Sequence, residues 1–365
     1  MPVDFIGFVN GRNHSEIVPA EGPVVNLDHV EAAAKIHENG GFDRVLVAFH
    51  SNSPESILIS QHVASVTRRL GLMVAHRPGF TAPTLAARQF ATLDAISGGR
   101  ASVHIITGGD DRELQADGDH LTKAERYART SEYLDIVRRE WSSDAPFDYD
   151  GKYYKVRGAH SAIRPQNGSS IPVFFGGSSE EAIAVAGKHA DIYALWGETY
   201  DQVRETIARV KASAAQHGRT VRFSLSLRPI LAETEEAAWA KAEQILETAR
   251  GLQEQTGYAR PSVVPNEGSR RLLAAAAQGA RLDKRLWTGL AALTGARGNS
   301  TSLVGTAEQV ADALLDYYRL GVTNILIRGF DPLQDAYVYG RDLIPLTRRL
   351  IAAEDARSGA GREAA

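Results

Sequence analysis

Ile171-Pro172-Val173-Phe174-Phe175-Gly176-Gly177-Ser178-Ser179-Glu180-Glu181-Ala182-Ile183-Ala184-Val185-Ala186 passes from an apolar, strand-like run to a helix-like one across two glycines and two hydroxyls. Glycines let backbone N–H groups come close to a ligand. The first helical turn adds unpaired donors and the positive end of its dipole, so the turn suits a phosphate. The same four residues also make an ordinary turn with a Ser N-cap. On this stretch alone both readings stand.

The strand, polar turn, helix unit recurs along the chain. Eight apolar runs are Val3 to Val9, Arg44 to Phe49, Gly71 to Ala75, Ala101 to Ile106, Ile171 to Phe175, Ala190 to Leu195, Arg222 to Ile230 and Thr323 to Ile327. Between them lie segments of helical period with readable ends. Val30, Ala33, Ala34 and His37 precede Gly40-Gly41; Ala86, Phe90 and Leu93 precede Gly98-Gly99; Val310, Leu314, Tyr317 and Leu320 precede Gly321. Thr306 with Gln309 has the spacing of a capping box. Eight alternating units predict an α/β fold of the (β/α)8 TIM-barrel type, with an open doubly wound sheet as the alternative.

At 365 residues the chain exceeds the ~250 usual for such a barrel, so insertions are expected. Gly108 to Leu121 is polar and follows the fourth run. Asp144 to Ser170 carries two aromatic pieces, Phe147 to Tyr149 and Tyr153 to Val156, around Asp150-Gly151, and reads as a hairpin. The largest, Ala232 to Ser302, lies between the seventh and eighth strands and is mostly helical in pattern. Residues 1–354 are expected to form one domain, and 355–365, small and polar, a disordered tail.

The net charge is −3 and the pI about 6.4, so no basic field recommends nucleic acid or an anionic membrane. No apolar run approaches the ~20 residues that span a bilayer, and the N-terminus lacks the pattern of a signal peptide. A cytoplasmic location is the resulting expectation. The absence of cysteine excludes disulfides, thiolate metal sites and a Cys nucleophile.

Barrel chemistry gathers where strands end. Those ends supply Asn10, Asn13 and His14; His50, Ser51 and Ser53; His76 and Arg77; Thr107 and Gly108; the Gly176 to Ser179 turn; Trp196 and Glu198; Ser226 and Arg228; and Arg328, Phe330 and Asp331. A single strand-end His or Arg usually anchors a loop, but several together point to a site. No paired His and carboxylate spacing suggests a metal, and no Gly-x-Ser-x-Gly elbow suggests a serine nucleophile.

Several stretches carry a resemblance. Arg77-Pro78-Gly79-Phe80-Thr81-Ala82-Pro83-Thr84-Leu85-Ala86-Ala87-Arg88-Gln89, Ala91-Thr92-Leu93-Asp94, Ser97-Gly98-Gly99-Arg100, Ile106-Thr107-Gly108-Gly109-Asp110 and Glu125-Arg126-Tyr127 come first. Phe175-Gly176-Gly177-Ser178-Ser179, Trp196-Gly197-Glu198 and Leu303-Val304-Gly305-Thr306 follow in order. Together they resemble the bacterial luciferase-like flavin monooxygenases, alkanesulfonate monooxygenase above all. The resemblance implies a barrel that binds reduced FMN (FMNH2) non-covalently, with its phosphate on Tyr127, Gly177, Ser178 and Ser179. It further implies that Thr107 and the backbone at Val74-Ala75 touch the flavin ring, the latter through a non-prolyl cis peptide. A separate NAD(P)H-dependent flavin reductase, O2 and a homo-oligomer, dimer or tetramer, belong to the same implication.

For the substrate, Trp196 and Arg297 match positions of the sulfonate enzymes, and a planar guanidinium suits a sulfonate's oxygens. Elsewhere the pattern departs. Ser226-Leu227-Arg228 stands where those enzymes have Arg-Leu-His, Phe330-Asp331-Pro332 where they have Tyr-Pro-His, and Ser53 where they have a cysteine. Trp196, Arg228 and Arg297 are therefore the catalytic candidates, and His14, His50 and Ser53 join them as candidate contacts to a small anionic substrate. The expected reaction is FMNH2-dependent oxygenation of an organosulfonate or related organosulfur compound, with C–S cleavage and sulfite release. Alternatives are a deazaflavin- or FMN-dependent oxidoreductase acting on another substrate, and a flavin-binding protein without activity. Arg250 to Asn299, broken by Gly257, Pro261, Pro265 and Gly268 and charged at Arg270, Arg271 and Arg281, reads as a mobile lid.

Overall fold

The computed structural model describes residues 3–168, 170–256, 266–298 and 300–363. Eight strands run in the predicted places: Asp4–Val9, Arg44–Val47, Gly71–His76, Ala101–Ile105, Val173–Gly176, Ile192–Trp196, Arg222–Leu227 and Val322–Ile327. They close into a barrel in which each strand neighbours the next and the eighth returns to the first. The open sheet is thereby excluded. Pairing is parallel, with Phe5 opposite Ile325, Leu225 opposite Ile325, Ala75 opposite His104, and Ile105 opposite Phe175. Parallel strands are covered on both faces, which is why the third, Gly71-Leu72-Met73-Val74-Ala75-His76, is buried at every residue.

By its contacts the chain divides into two compact units, one of residues 1–44, 194–207 and 222–365, the other of residues 45–193 and 208–221. In the first unit the helix Leu27–Asn39 packs on the first strand through His37. A Cβ at Gly7 would lie 2.0 Å from the His37 ring, so glycine is required there. Nδ1 of His37 is 2.7 Å from the Ala33 carbonyl, and Nε2 accepts the Phe8 N–H at 3.4 Å, a pairing available only to the neutral ring. The capping box of Thr306 and Gln309 forms as the spacing predicts.

The seventh strand stops at Leu227, short of the predicted Ile230, because Pro229 has no N–H for a ladder. Ile230–Leu231 instead opens a second sheet, in the order Ile230–Leu231, Ser302–Gly305, Leu286–Trp287, Arg281–Leu282. The helices Glu235–Thr256, Glu267–Gln278 and Gly289–Thr294 complete this insertion. Part of the region read as a lid is thus built into a sheet, while Gly257, Pro261, Pro265 and Asn299 lie outside the described residues.

In the second unit the predicted hairpin forms from Phe147–Asp150 and Lys155–Ala159. The Glu132 carboxylate accepts the turn N–H groups of Lys152, Tyr153 and Tyr154 at 2.8, 2.8 and 3.1 Å, leaving none of the three orphaned.

One expectation is corrected. Among the described residues every peptide bond is trans, including Val74-Ala75, which an unbroken ladder to Val103 and His104 holds extended. The last helix is Ile344–Glu363; Tyr318 Oη donates to Asp355 at 2.7 Å and Arg319 grips both oxygens of Glu354 at 3.0 Å. No helix among the described residues is long and apolar enough to cross a membrane.

Burial holds His37 and His76 neutral, down to about 4. In the unfolded chain both titrate near ~6.5. Between those values the unfolded state binds protons that the fold excludes, so stability is full above ~6.5 and declines as pH falls toward 4. Urea unfolding across pH 4–7.5 should show this loss, up to ~3 kcal/mol per histidine. A flat profile would contradict the neutral assignment.

Candidate active site

All seven residues assigned to a flavin fall in the second unit, on three adjacent strands and one helix. The fifth strand ends at Gly176, and Gly177 takes φ +138°, a conformation open to glycine. A Cβ there would lie 2.8 Å from Ala182 Cβ and 3.0 Å from Tyr127 Oη, filling the concavity between turn and phenol. Tyr193 Oη hydrogen-bonds the Gly177 carbonyl and fixes the peptide. Ser179 caps the helix Glu180–His189 through Ala182 N at 3.4 Å, so the cap reading of this turn is realised.

Tyr127 stands in the second turn of Lys123–Ser142, a helix begun by the box of Thr122 and Glu125. Burial raises its phenol above the ordinary tyrosine value, and a hydrogen bond with Ser179 partly offsets that. Ser178 is half-buried on the same turn. Thr107, after the fourth strand, is 3.5 Å from the Thr130 hydroxyl on the Tyr127 helix. Val74 and Ala75 lie one strand further along, with the Ala75 carbonyl accepting from Ser56 at 2.7 Å. Thr107, Tyr127 and the glycine turn are thus brought together on one side of the unit, with the Glu181 carboxylate close enough to act on the Tyr127 phenol.

The substrate candidates of this unit have structural occupations. Arg77, 4% exposed, donates to Glu113 at 2.5 Å and to Ser51 at 3.2 Å. Burial would raise Glu113, but hydrogen bonds from His50 and Arg77 hold it down at about 2. His50 Nδ1 lies 3.2 Å from the same carboxylate, and Ser53 folds back on the His50 backbone N at 2.8 Å. His50 and Ser53 therefore shape the loop after the second strand.

In the first unit the sixth strand ends at Trp196, and the next two residues anchor the large insertion. Glu198 is 3% exposed and receives Arg271 Nε and Nη2 at 2.8 and 2.9 Å. Arg271, one of the charges of the segment read as a lid, is buried at this pair. The helix carrying it also brings Gly268 against the indole, where a Cβ would sit 2.9 Å from the Trp196 ring. Trp196 consequently packs with Leu272, Ala291 and Ala296. Thr301 ties strands six and seven together, donating to the Gly197 carbonyl at 2.7 Å and accepting the Arg228 N–H at 3.0 Å.

Arg228 is 1% exposed. Its Nη1 lies 2.8 Å from Glu16, its Nη2 donates to the Gly329 carbonyl at 3.1 Å, and its guanidinium stacks 3.7 Å above the Phe330 ring. Arg328, from the eighth strand's end, approaches the other Glu16 oxygen at 3.4 Å. Burial would raise Glu16, yet the two arginines bring it to about 2; Arg328 is itself depressed to about 10 by burial and by its neighbour's charge. Arg297 is exposed on the turn after Gly289–Thr294, and His14 is exposed with Nδ1 3.2 Å from the Arg12 carbonyl. Arg228 and Arg328 are thus joined through Glu16. Glu16 was not anticipated, and no local pattern marks a pair that is 312 positions apart.

The family model described as "Luciferase-like monooxygenase" matches residues 3–324. Among solved structures the chain is similar to riboflavin lyase (RcaE) with modified FMN and riboflavin, at 19% identity over 96% of this chain and 92% of that one, TM-score 0.78. It is also similar to the EDTA monooxygenase EmoA from Chelativorans sp. BNC1, at 19% identity over 96% and 94%, TM-score 0.76. DmoA from Hyphomicrobium sulfonivorans shares 20% identity over 96% and 88%, TM-score 0.77.

Arg271→Ala should strip a buried carboxylate of its partner and cost about 3–5 kcal/mol in urea unfolding. A loss below about 1 kcal/mol would show that the pair does not anchor the insertion.

Proposed function

This chain belongs to the luciferase-like monooxygenase family, and from that premise we propose that it is a two-component monooxygenase that receives FMNH2 from an NAD(P)H-dependent reductase. The observation that carries the cofactor assignment is the concavity at Gly177: φ +138°, a Ser179-capped helix start and the Tyr127 hydroxyl, with space that a single Cβ would remove. Donors converging on a helix N-terminus suit a phosphate dianion. When bound, FMNH2 supplies the two electrons that activate O2.

The substrate we propose is a small organosulfonate or related organosulfur anion. For a sulfonate, FMNH2, O2 and R–CH2–SO3− yield FMN, water, R–CHO and hydrogen sulfite, with the C–S bond broken and one oxygen atom placed on carbon. Arg228 supplies fixed positive charge at the ends of strands seven and eight, and Arg297 adds charge at the edge of the insertion. Trp196, held by Gly268 and Leu272, offers an apolar wall to the carbon chain. Phe330 and Asp331 replace the family's Tyr and Pro. Phe330 supports Arg228 from below, and Asp331 caps the helix Pro332–Val338 at 3.1 Å from Gln334 N.

Ser178→Ala with Ser179→Ala should weaken FMNH2 binding roughly tenfold or more, since each lost bond to a charged group matters by ~1.5–3 kcal/mol. Unchanged affinity in anaerobic titration would remove the cradle assignment. The functional test is a sulfite-release and O2-uptake screen across sulfonates with FMN and a generic flavin reductase. Sulfite produced in proportion to added sulfonate is expected. Oxygen uptake that no organosulfur compound stimulates would refute the substrate class.

A further inference from the structure

We infer that Arg228 and Arg328 form a two-guanidinium clamp for an oxyanionic group of the substrate, and that Glu16 occupies this clamp as an internal stand-in which the substrate displaces. That the displacing ion is a substrate rests on the monooxygenase reading; that the clamp takes an oxyanion rests on geometry.

Two cations share one carboxylate. Glu16 reaches Arg228 Nη1 at 2.8 Å with one oxygen and Arg328 Nη2 at 3.4 Å with the other, which leaves the cluster with one surplus positive charge. A surplus positive charge beside the buried Arg228 attracts a further anion. Nε of Arg228 and Nε of Arg328 are both buried without a hydrogen-bond partner, so donors remain on the edges of both guanidiniums. Their faces are already taken, by Phe330 at 3.7 Å and by Phe8 at 5.1 Å. The unpartnered Nε edges suit an in-plane ligand, and a planar fork addresses two oxygens at once.

Access is graded in the sense that displacement requires. Arg228 is 1% exposed, whereas Arg328 and Glu16 are 26% and 29% exposed. Solvent therefore meets the carboxylate and one guanidinium, with the second fixed cation behind. Glu16 stays ionised at neutral pH, so an incoming anion replaces it as one carboxylate-like group replaces another. The backbone beside it does not have to move. Ser15 Oγ donates to the Phe330 carbonyl at 2.5 Å and accepts Ile17 N and Val18 N at 3.1 Å, holding the loop while the Glu16 side chain turns outward.

The test is calorimetric titration of propane-1-sulfonate, and of uncharged methyl propyl sulfone, into the full-length protein with and without FMN. Wild type should bind the sulfonate. Glu16→Gln should bind it roughly tenfold more tightly and Arg328→Met roughly tenfold more weakly, with sulfone binding the same in all three. Thermal melting with and without FMN checks that each variant is folded. Sulfonate affinity in folded Arg328→Met within twofold of wild type would overturn the clamp. So would equal or weaker binding by Glu16→Gln, which marks the carboxylate as a permanent strap, or no binding to wild type and Glu16→Gln at millimolar concentration. Charge-dependent binding without sulfonate-stimulated O2 uptake would support the clamp while refuting the monooxygenase reading.

Discussion

A guanidinium taken out of water stays charged, so each buried arginine obliges the fold to bring a carboxylate to it. This constraint organises the segments that follow the barrel strands. Arg77 draws in Glu113 and with it the helix Asp111–Ala116; Arg271 ties the Glu267–Gln278 helix to Glu198 beyond the sixth strand. In each case the pair adds to apolar contacts, Leu114 in the first helix and Leu272 in the second. Arg228 and Arg328 depart from the rule. They share one carboxylate, Glu16, and this imbalance is the ground on which an anion site is proposed there.

The strands were legible because parallel barrel strands are apolar on both faces, and the turns because glycine, capping serine and the Thr306 and Gln309 box act within four residues. The same locality explains the failures. The ladder end at Leu227 depends on whether Pro229 has a partner in space, and Ile230 looked continuous with the strand only by composition. The hydrogen bond from Tyr318 Oη to Asp355 is likewise not written near Asp355 in sequence.

The candidate site divides along the same line. Gly177 and Ser179 could be chosen because a strand, a glycine turn and a helix start are a local signature, whereas Tyr127 came only from the family resemblance; the fold does place them in contact. His50 and Ser53 share the chemistry of site residues but close a loop. Residue type at a strand end announces polarity and does not say whether a partner has already claimed it. Glu16 carried no signal at all, since its meaning comes entirely from two arginines more than half the chain away.

What strands seven and eight assemble bears on the chemistry. Phe330 has no hydroxyl, and the Asp331 and Asp335 carboxylates are spent on backbone N–H groups, Asp335 accepting Phe330 N at 2.7 Å. Neither carboxylate can carry a proton through a cycle without loosening the loop that aligns Arg228. Arg328, even when depressed to about 10, keeps its proton at neutral pH and so stabilises charge without transferring protons. Fixed guanidinium charge of this kind would stabilise negative charge that gathers on a departing group, as in the sulfite departure proposed above, because the edge that would hold the oxygens before the C–S bond breaks would still hold them after it.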